Sequence, residues 1–253
     1  MSRHALITAG SKGLGKKVSE RLLKDGCQVT INYRSDTNAV ERLKTEWQPF
    51  SDRFCFVQAD VTKKDDIIRL VRIANERFGT IDYLINNAGP YIFERKKLVD
   101  YADHEWYDMI EGNLSAVFHL LKLTIPKMRE QKFGRVITYG FQGAESAPGW
   151  LERSAFSAAK VGLVSLTKTL AYEEAENGIT ANMICPGNIV GAMKEASIAY
   201  ARKVKDERTP IGRSGTGEDI ARVISFLLQE DSDLITGAVI EATGGLDVIH
   251  RNR

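Results

Sequence analysis

The chain has 253 residues, of which 43% are hydrophobic and 27% charged, and its formal net charge is +2. Such near balance argues against nucleic acid or a membrane surface as the main partner. A chain this long buries about 70–75% of its unfolded surface, which excludes dependence on disulfide or metal staples.

Strand and helix patterns alternate from the start. His4 to Thr8 reads as a buried strand, followed by a helix with Val18, Leu22 and Leu23 on one face that ends at Gly26. Cys27 to Tyr33 is the second strand, and residues 37–47 form the second helix. Arg53 to Ala59 is the third strand, and Ile67, Leu70, Val71 and Ala74 mark the third helix. Asp82 to Asn86 is the fourth strand. One long helix is expected from about Asp103 to Gln131, bent at Pro126. Arg135 to Tyr139, Ile179 to Cys185 and Ala238 to Ala242 complete seven strands. Helices are expected over 155–177 and 217–229, with an irregular stretch holding one short helix over 186–216. Val-, Ile- and Leu-rich strands that each lead into a helix predict a doubly wound, Rossmann-like α/β fold. Its parallel sheet carries helices on both faces, and residues 1–253 form one domain.

Cys27, Cys55 and Cys185 are odd in number and lie among apolar residues, so they read as small buried hydrophobes. His4, His104, His119 and His250 form no ligand-like cluster, and no metal site is expected. The basic run Arg95-Lys96-Lys97 reads as a solvated loop. No apolar run approaches a membrane span and the first strand begins almost at once, so a cytoplasmic protein without a leader is expected.

The first strand-to-helix turn reads Thr8-Ala9-Gly10-Ser11-Lys12-Gly13-Leu14-Gly15. Glycines there let the backbone approach a pyrophosphate, and the helix start offers unpaired N–H groups and a positive dipole end. Further pieces stand at other strand ends. Asp60-Val61 follows strand three, where a carboxylate can accept from an adenine amino group. Asn86-Asn87-Ala88-Gly89 closes strand four, and Pro186-Gly187, with Ile189 beyond it, follows strand six. Asn113 lies in the long helix and Lys160 near the start of the next.

Together these motifs resemble the short-chain dehydrogenase/reductase family across nearly the whole chain, and the bacterial 3-oxoacyl-acyl-carrier-protein reductases most of all. The resemblance implies a nicotinamide cofactor and a homotetramer or homodimer packed through the helices at about 103–131 and 155–177. In such folds a carboxylate after strand two binds a ribose 2′-hydroxyl, whereas a cation takes a 2′-phosphate. Strand two here ends Asn32-Tyr33-Arg34-Ser35, and Lys12 is a second cation. NADP(H) is therefore favoured over NAD(H).

The pattern breaks at the chemistry. The resemblance implies a proton-exchanging tyrosine four residues before Lys160, but Phe156 stands there. The serine expected after strand five falls at Phe141, with a residue or two of latitude in the loop. A threonine expected after Pro186-Gly187 falls at Gly191, and the first glycine of the turn is replaced by Ala9. Tyr139, Tyr91, Ser154 and Ser157 are the substitute donors in reach by sequence. Tyr139, two residues before Phe141, is expected on the same strand face.

Two readings lead. The first is NADPH-dependent hydride transfer to a carbonyl, with a 3-oxoacyl thioester or other small molecule as substrate. The second is an NADP(H)-binding regulator or sensor with impaired catalysis. A bare structural scaffold is the third, opposed by Asp60, Asn86 and Lys160.

Overall fold

The computed structural model describes residues 2–249; His250 lies outside them. Seven strands, all parallel, form one sheet in the order β3-β2-β1-β4-β5-β6-β7. They are β1 (His4–Ile7), β2 (Gln28–Tyr33), β3 (Phe54–Gln58), β4 (Tyr83–Asn86), β5 (Gly134–Tyr139), β6 (Ile179–Pro186) and β7 (Val239–Ala242). The helices are α1 (Gly13–Lys24), α2 (Thr37–Glu46), α3 (Lys64–Phe78), α4 (Asp103–Ile110), α5 (Ala116–Glu130), α6 (Ser154–Glu174), α7 (Ile198–Ala201) and α8 (Gly217–Leu227). The expected Rossmann-like α/β class holds.

Strand alternation sends side chains to two cores. Leu6, Leu84, Val136 and Met183 join residues of α3, α5 and α6 on one face. Ala5, Ile7, Ile85, Ile137 and Ile184 join residues of α1, α2 and α8 on the other. The strand order reverses between β1 and β4, and the crevice beyond their carboxyl ends is where such sheets bind ligands. The turns at Thr8–Gly15 and Asn86–Gly89 meet there.

The helix expected over 103–131 is interrupted. A π turn, Glu111–Ser115, separates α4 from α5, and α5 continues through Pro126. The extra residue of a π turn re-aims side chains locally. Here it brings Gly112 against Pro90, where an added Cβ would stand 2.3 Å from Pro90 Cδ. It also turns Asn113 inward, 1% exposed.

His4 settles as a core histidine. Its ring nitrogens pair with the Gly79 carbonyl at 3.0 Å and with Thr30 Oγ1 at 2.9 Å, and burial holds its pKa below the ordinary value. Among the described residues no group of three or more His, Cys, Asp or Glu could hold a metal ion. All three cysteines are free. No helix of the described residues is long and apolar enough to cross a membrane.

Candidate active site

Two turns build the floor of the crevice and lock onto each other. Asn87 donates from Nδ2 to the carbonyls of Thr8 and Ala9, at 3.0 and 3.1 Å. The Ala88 N–H donates to Thr8 Oγ1 at 2.9 Å. The Thr8 hydroxyl and the Asn87 Nδ2 group are thus spent on the scaffold. Gly10 is wedged: a Cβ there would lie 3.0 Å from both Ile31 Cγ2 and Ser19 Oγ. Gly15 is tighter, with Ala9 O at 2.4 Å and Asn87 Nδ2 at 2.6 Å from the same construction. Close approach of the β1 turn to α1 therefore requires glycine at both positions. Gly13 has φ +58° and Ala9 φ +49°. The left-handed region costs an alanine about 1–2 kcal/mol, so Ala9, where the resemblance implies glycine, is strained.

The groove over this floor, about 330 Å3, is lined by Ser11, Lys12, Arg34, Ser35, Asp60, Val61, Ala88 and Gly89, among others. It brings together residues from four strand ends. Arg34 and Lys12 are exposed, and neither side chain has an ion-pair partner among the described residues. Asp60 Oδ1 accepts from the Thr62 N–H and hydroxyl, at 3.0 and 2.8 Å, which fixes the turn after β3.

Past Gly89 the cleft reaches the expected chemistry. A Cβ on Gly89 would lie 2.3 Å from Asn113 Oδ1 and 3.7 Å from Lys160 Nζ, so both atoms overlook one strip of backbone. Asn113 donates from Nδ2 to the carbonyls of Pro90 (3.0 Å) and Met109 (3.1 Å), which leaves its buried Oδ1 without a partner. Lys160 is 5% exposed and its ammonium makes no hydrogen bond or ion pair among the described residues. Burial lowers its pKa to about 8.

Around Lys160 stands a wall of rings. Its Nζ lies 5.7 Å from the centroid of Phe156. Phe156 meets Tyr91 edge-on at 4.9 Å and Trp150 at 6.1 Å, and Phe141 packs on Trp150 at 4.9 Å. Phe141 is 4% exposed in the α3/α5/α6 core. Tyr139 corrects the sequence reading: it belongs to the opposite core, with Ile137 and Ile184. β5 ends at Tyr139, so strand alternation does not carry through Gly140 to Phe141. The Tyr139 hydroxyl is buried without a partner and its pKa is raised by desolvation. It cannot serve the cleft. Ser157 Oγ is directed to the Pro148 carbonyl, at 3.5 Å. Ser154 starts α6 two residues before Phe156, roughly 200° around the helix.

Three contributors escaped the sequence reading. Trp150 completes the ring wall. Arg153, 7% exposed, donates to the carbonyls of Phe93 (2.9 Å) and Glu94 (2.6 Å) and lies over the Tyr91 ring at 5.2 Å, so it pins the loop after Gly89. Glu195 accepts from the Gly13 N–H at 2.8 Å and pairs with Lys16 at 3.4 Å. It follows a 3-10 turn, Gly191–Lys194, within the stretch expected to be irregular. The sequence marked Pro186-Gly187 there but not its close packing: a Cβ on Gly187 would lie 2.8 Å from Thr243 Cα. Ile189 turns its side chain into the α1/α8 core, while Gly191 has φ +54° and open space around it.

The fold, the glycine turn and the Asn-Asn-Ala-Gly floor define an oxidoreductase of the short-chain dehydrogenase/reductase type, and the chain belongs to that family. Within it, the family model described as enoyl-(acyl carrier protein) reductase matches residues 8–247. The chain is 70% identical over 252 residues to a Bacillus subtilis (strain 168) protein provisionally named oxidoreductase YtkK, with 99% of each covered. It is 33% identical over 247 residues to the 3-oxoacyl-[acyl-carrier-protein] reductase FabG of Staphylococcus epidermidis, covering 97% of this chain and 99% of that one. A solved Bacillus thuringiensis structure, provisionally named a 3-oxoacyl-reductase, superposes with TM-score 0.95 at 64% identity, covering 99% and 100% of the two chains. A blue fluorescent protein from a metagenomic library, solved in complex with NADPH, superposes with TM-score 0.82 at 29% identity over 96% and 97%.

Proposed function

We propose that this protein is a single-domain, NADP(H)-dependent reductase that transfers hydride to a carbonyl, with 3-oxoacyl thioesters as the substrate class. One observation carries the reading. Two unpaired cations, Lys12 and Arg34, line a groove that runs to Gly89, and at Gly89 stand Lys160 and the orphaned Asn113 oxygen. The residues fit the dinucleotide. Gly10, Gly15 and Gly89 leave the backbone bare where a Cβ would collide. The start of α1 offers amides to a diphosphate. Lys12, Arg34 and Ser35 suit a 2′-phosphate, and Asp60 and Val61 line the adenosine end. Ala88, Gly89, Lys160, Pro186, Gly187 and the backbone at Ile189 border the nicotinamide end. When bound, the reduced nicotinamide supplies hydride to the substrate.

The NADPH complex of a family member supports the cofactor, and the names of two relatives support the acyl substrate. Assembly as a homotetramer or homodimer is supported by a groove between α5 and α6, lined by Leu114, Phe118, Gly162 and Leu166, with Phe118 45% exposed. The second reading, an NADP(H)-binding regulator or sensor, is favoured by one feature: rings at Phe156 and Phe141 where hydroxyls are expected.

Fluorescence titration with NADPH and NADH, run beside turnover of acetoacetyl thioesters, separates these readings. Tighter NADPH binding with turnover supports the reductase. Binding alone supports the regulator. No saturable binding at millimolar levels of either nucleotide overturns both.

A further inference from the structure

We propose that the Lys160 ammonium is itself the catalytic acid, passing an Nζ proton directly to the substrate oxygen. The inference rests on the reductase reading and assigns its missing donor.

Among the described residues the Tyr91 phenol and the Lys160 ammonium remain as donors, and only Lys160 sets its proton-bearing atom at the Gly89 strip. Phe156 and Phe141 carry no proton to give. Tyr139 faces the opposite core. The Ser157 hydroxyl is turned to Pro148, and Ser154 lies around the far side of α6. Asn113 has spent both N–H bonds on the carbonyls of Pro90 and Met109. Lys160 alone places N–H bonds at the Gly89 strip without a partner. The rings of Phe141, Trp150 and Phe156 shut water out on that side, so solvent is a poor substitute there.

The same surroundings make the ammonium a competent acid. No carboxylate neutralises it. Cys185 on β6 is the titratable group that acts on it, and that thiol is itself pushed up to about 12 by burial, so it stays neutral at pH 8. The π turn contributes the neutral Asn113. The loop after β4 contributes the Tyr91 phenol, with Arg153 beyond its ring. Desolvation without a counter-charge favours the neutral amine and so favours proton release. The resulting value of about 8 sits where general acids work well near neutrality.

The step balances. Hydride supplied by the reduced dinucleotide forms the new C–H bond at the carbonyl carbon. The carbonyl π pair moves onto oxygen. The Nζ–H bond breaks and the O–H bond forms. Lysine is left as the neutral amine and regains its proton from solvent on the open, groove side once product has left; Asn113 Oδ1 can accept a hydrogen bond there but carries no proton.

Two measurements test this. In cofactor-free protein carrying 13C-labelled lysine, one resonance, absent from Lys160→Met, is expected to titrate near pH 8, against an ordinary lysine value of ~10.4. At saturating NADPH, kcat for carbonyl reduction is expected to be level below pH 8 and to fall about tenfold per unit above it. Lys160→Met is expected to lose ~100-fold or more in kcat. Titration of Lys160 at the ordinary lysine value overturns the proposal. A flat kcat profile across pH 8 also overturns it, as does a Lys160→Met effect confined to NADPH affinity. NADPH binding with no carbonyl turned over overturns the acid while sparing the cofactor assignment; no NADPH binding takes down both.

Discussion

At the scale of single residues, Ala9 and Phe156 stand where the family resemblance implies glycine and tyrosine, and the two substitutions differ in kind. Ala9 is a local cost. Its φ of +49° puts a Cβ in the region glycine prefers, at about 1–2 kcal/mol. Ala9→Gly relieves that strain but gives back roughly 0.5–1 kcal/mol of unfolded-state entropy. The expected result is a net stabilisation of about 0.5–1 kcal/mol, read as a rise in Tm of about 1–3 °C. A fall in Tm would show that the alanine conformation is relaxed. Phe156 is a chemical departure. Its ring faces the Lys160 ammonium at 5.7 Å, within reach of a cation–π contact. Phe156→Tyr puts a phenol beside that ammonium and is expected to raise kcat for acetoacetyl thioesters by about 10–100-fold at saturating NADPH. No gain would mean that the carbonyl does not sit against this ring.

At the scale of elements, the site depends on where turns meet. The π turn aims Asn113 at Gly89 because its extra residue rotates the side chain off the regular helical face. Gly89→Ala sets a methyl 2.3 Å from Asn113 Oδ1, so the amide must swing away or the turn must shift. Overpacking of this kind costs about 1–3 kcal/mol. NADPH affinity is expected to drop about tenfold in titration, and an unchanged Kd would place the cofactor elsewhere. The sequence shows such elements well and their meetings poorly. Strand and helix periods come from local side-chain patterns, so the seven strands and the Thr8–Gly15 turn were legible residue by residue. The π turn was not, because Glu111–Ser115 holds a single large apolar residue, Leu114, and so shows no period of its own. Nor was the side of the sheet taken by Tyr139, which follows from where β5 stops pairing. Arg153 and Glu195 act on Glu94 and Gly13, far away in sequence, and no local pattern marks such contacts.

At the scale of the whole molecule, burying Lys160 without a counter-ion taxes stability. Its pKa falls from 10.5 unfolded to about 8 folded. The unfolded chain therefore holds more protons between those values, and stability rises with pH across that window. Below pH 8 the penalty is fully present; above 10.5 it is gone. Lys160→Met removes it, with an expected gain of roughly 3 kcal/mol at pH 7 that fades as pH climbs from 8 to 10.5. Urea titrations of both proteins at pH 7 and pH 10 check the sign. A gain that is equal at both pH values would trace it to methionine packing instead.

Glu195 gives the molecule a further property. The amide of Gly13 at the head of α1 already holds a carboxylate, supplied from the far side of the chain. A diphosphate that takes the Gly13 amide would displace Glu195 from it and release the Glu195–Lys16 pair. Glu195 trails a short turn whose Lys194 lies against Gly13 and, through its carbonyl, against Gly217 at the head of α8. Eviction would therefore be felt at both helix heads at once, and the loaded and empty proteins would differ in the arrangement of residues 191–195 before any substrate enters.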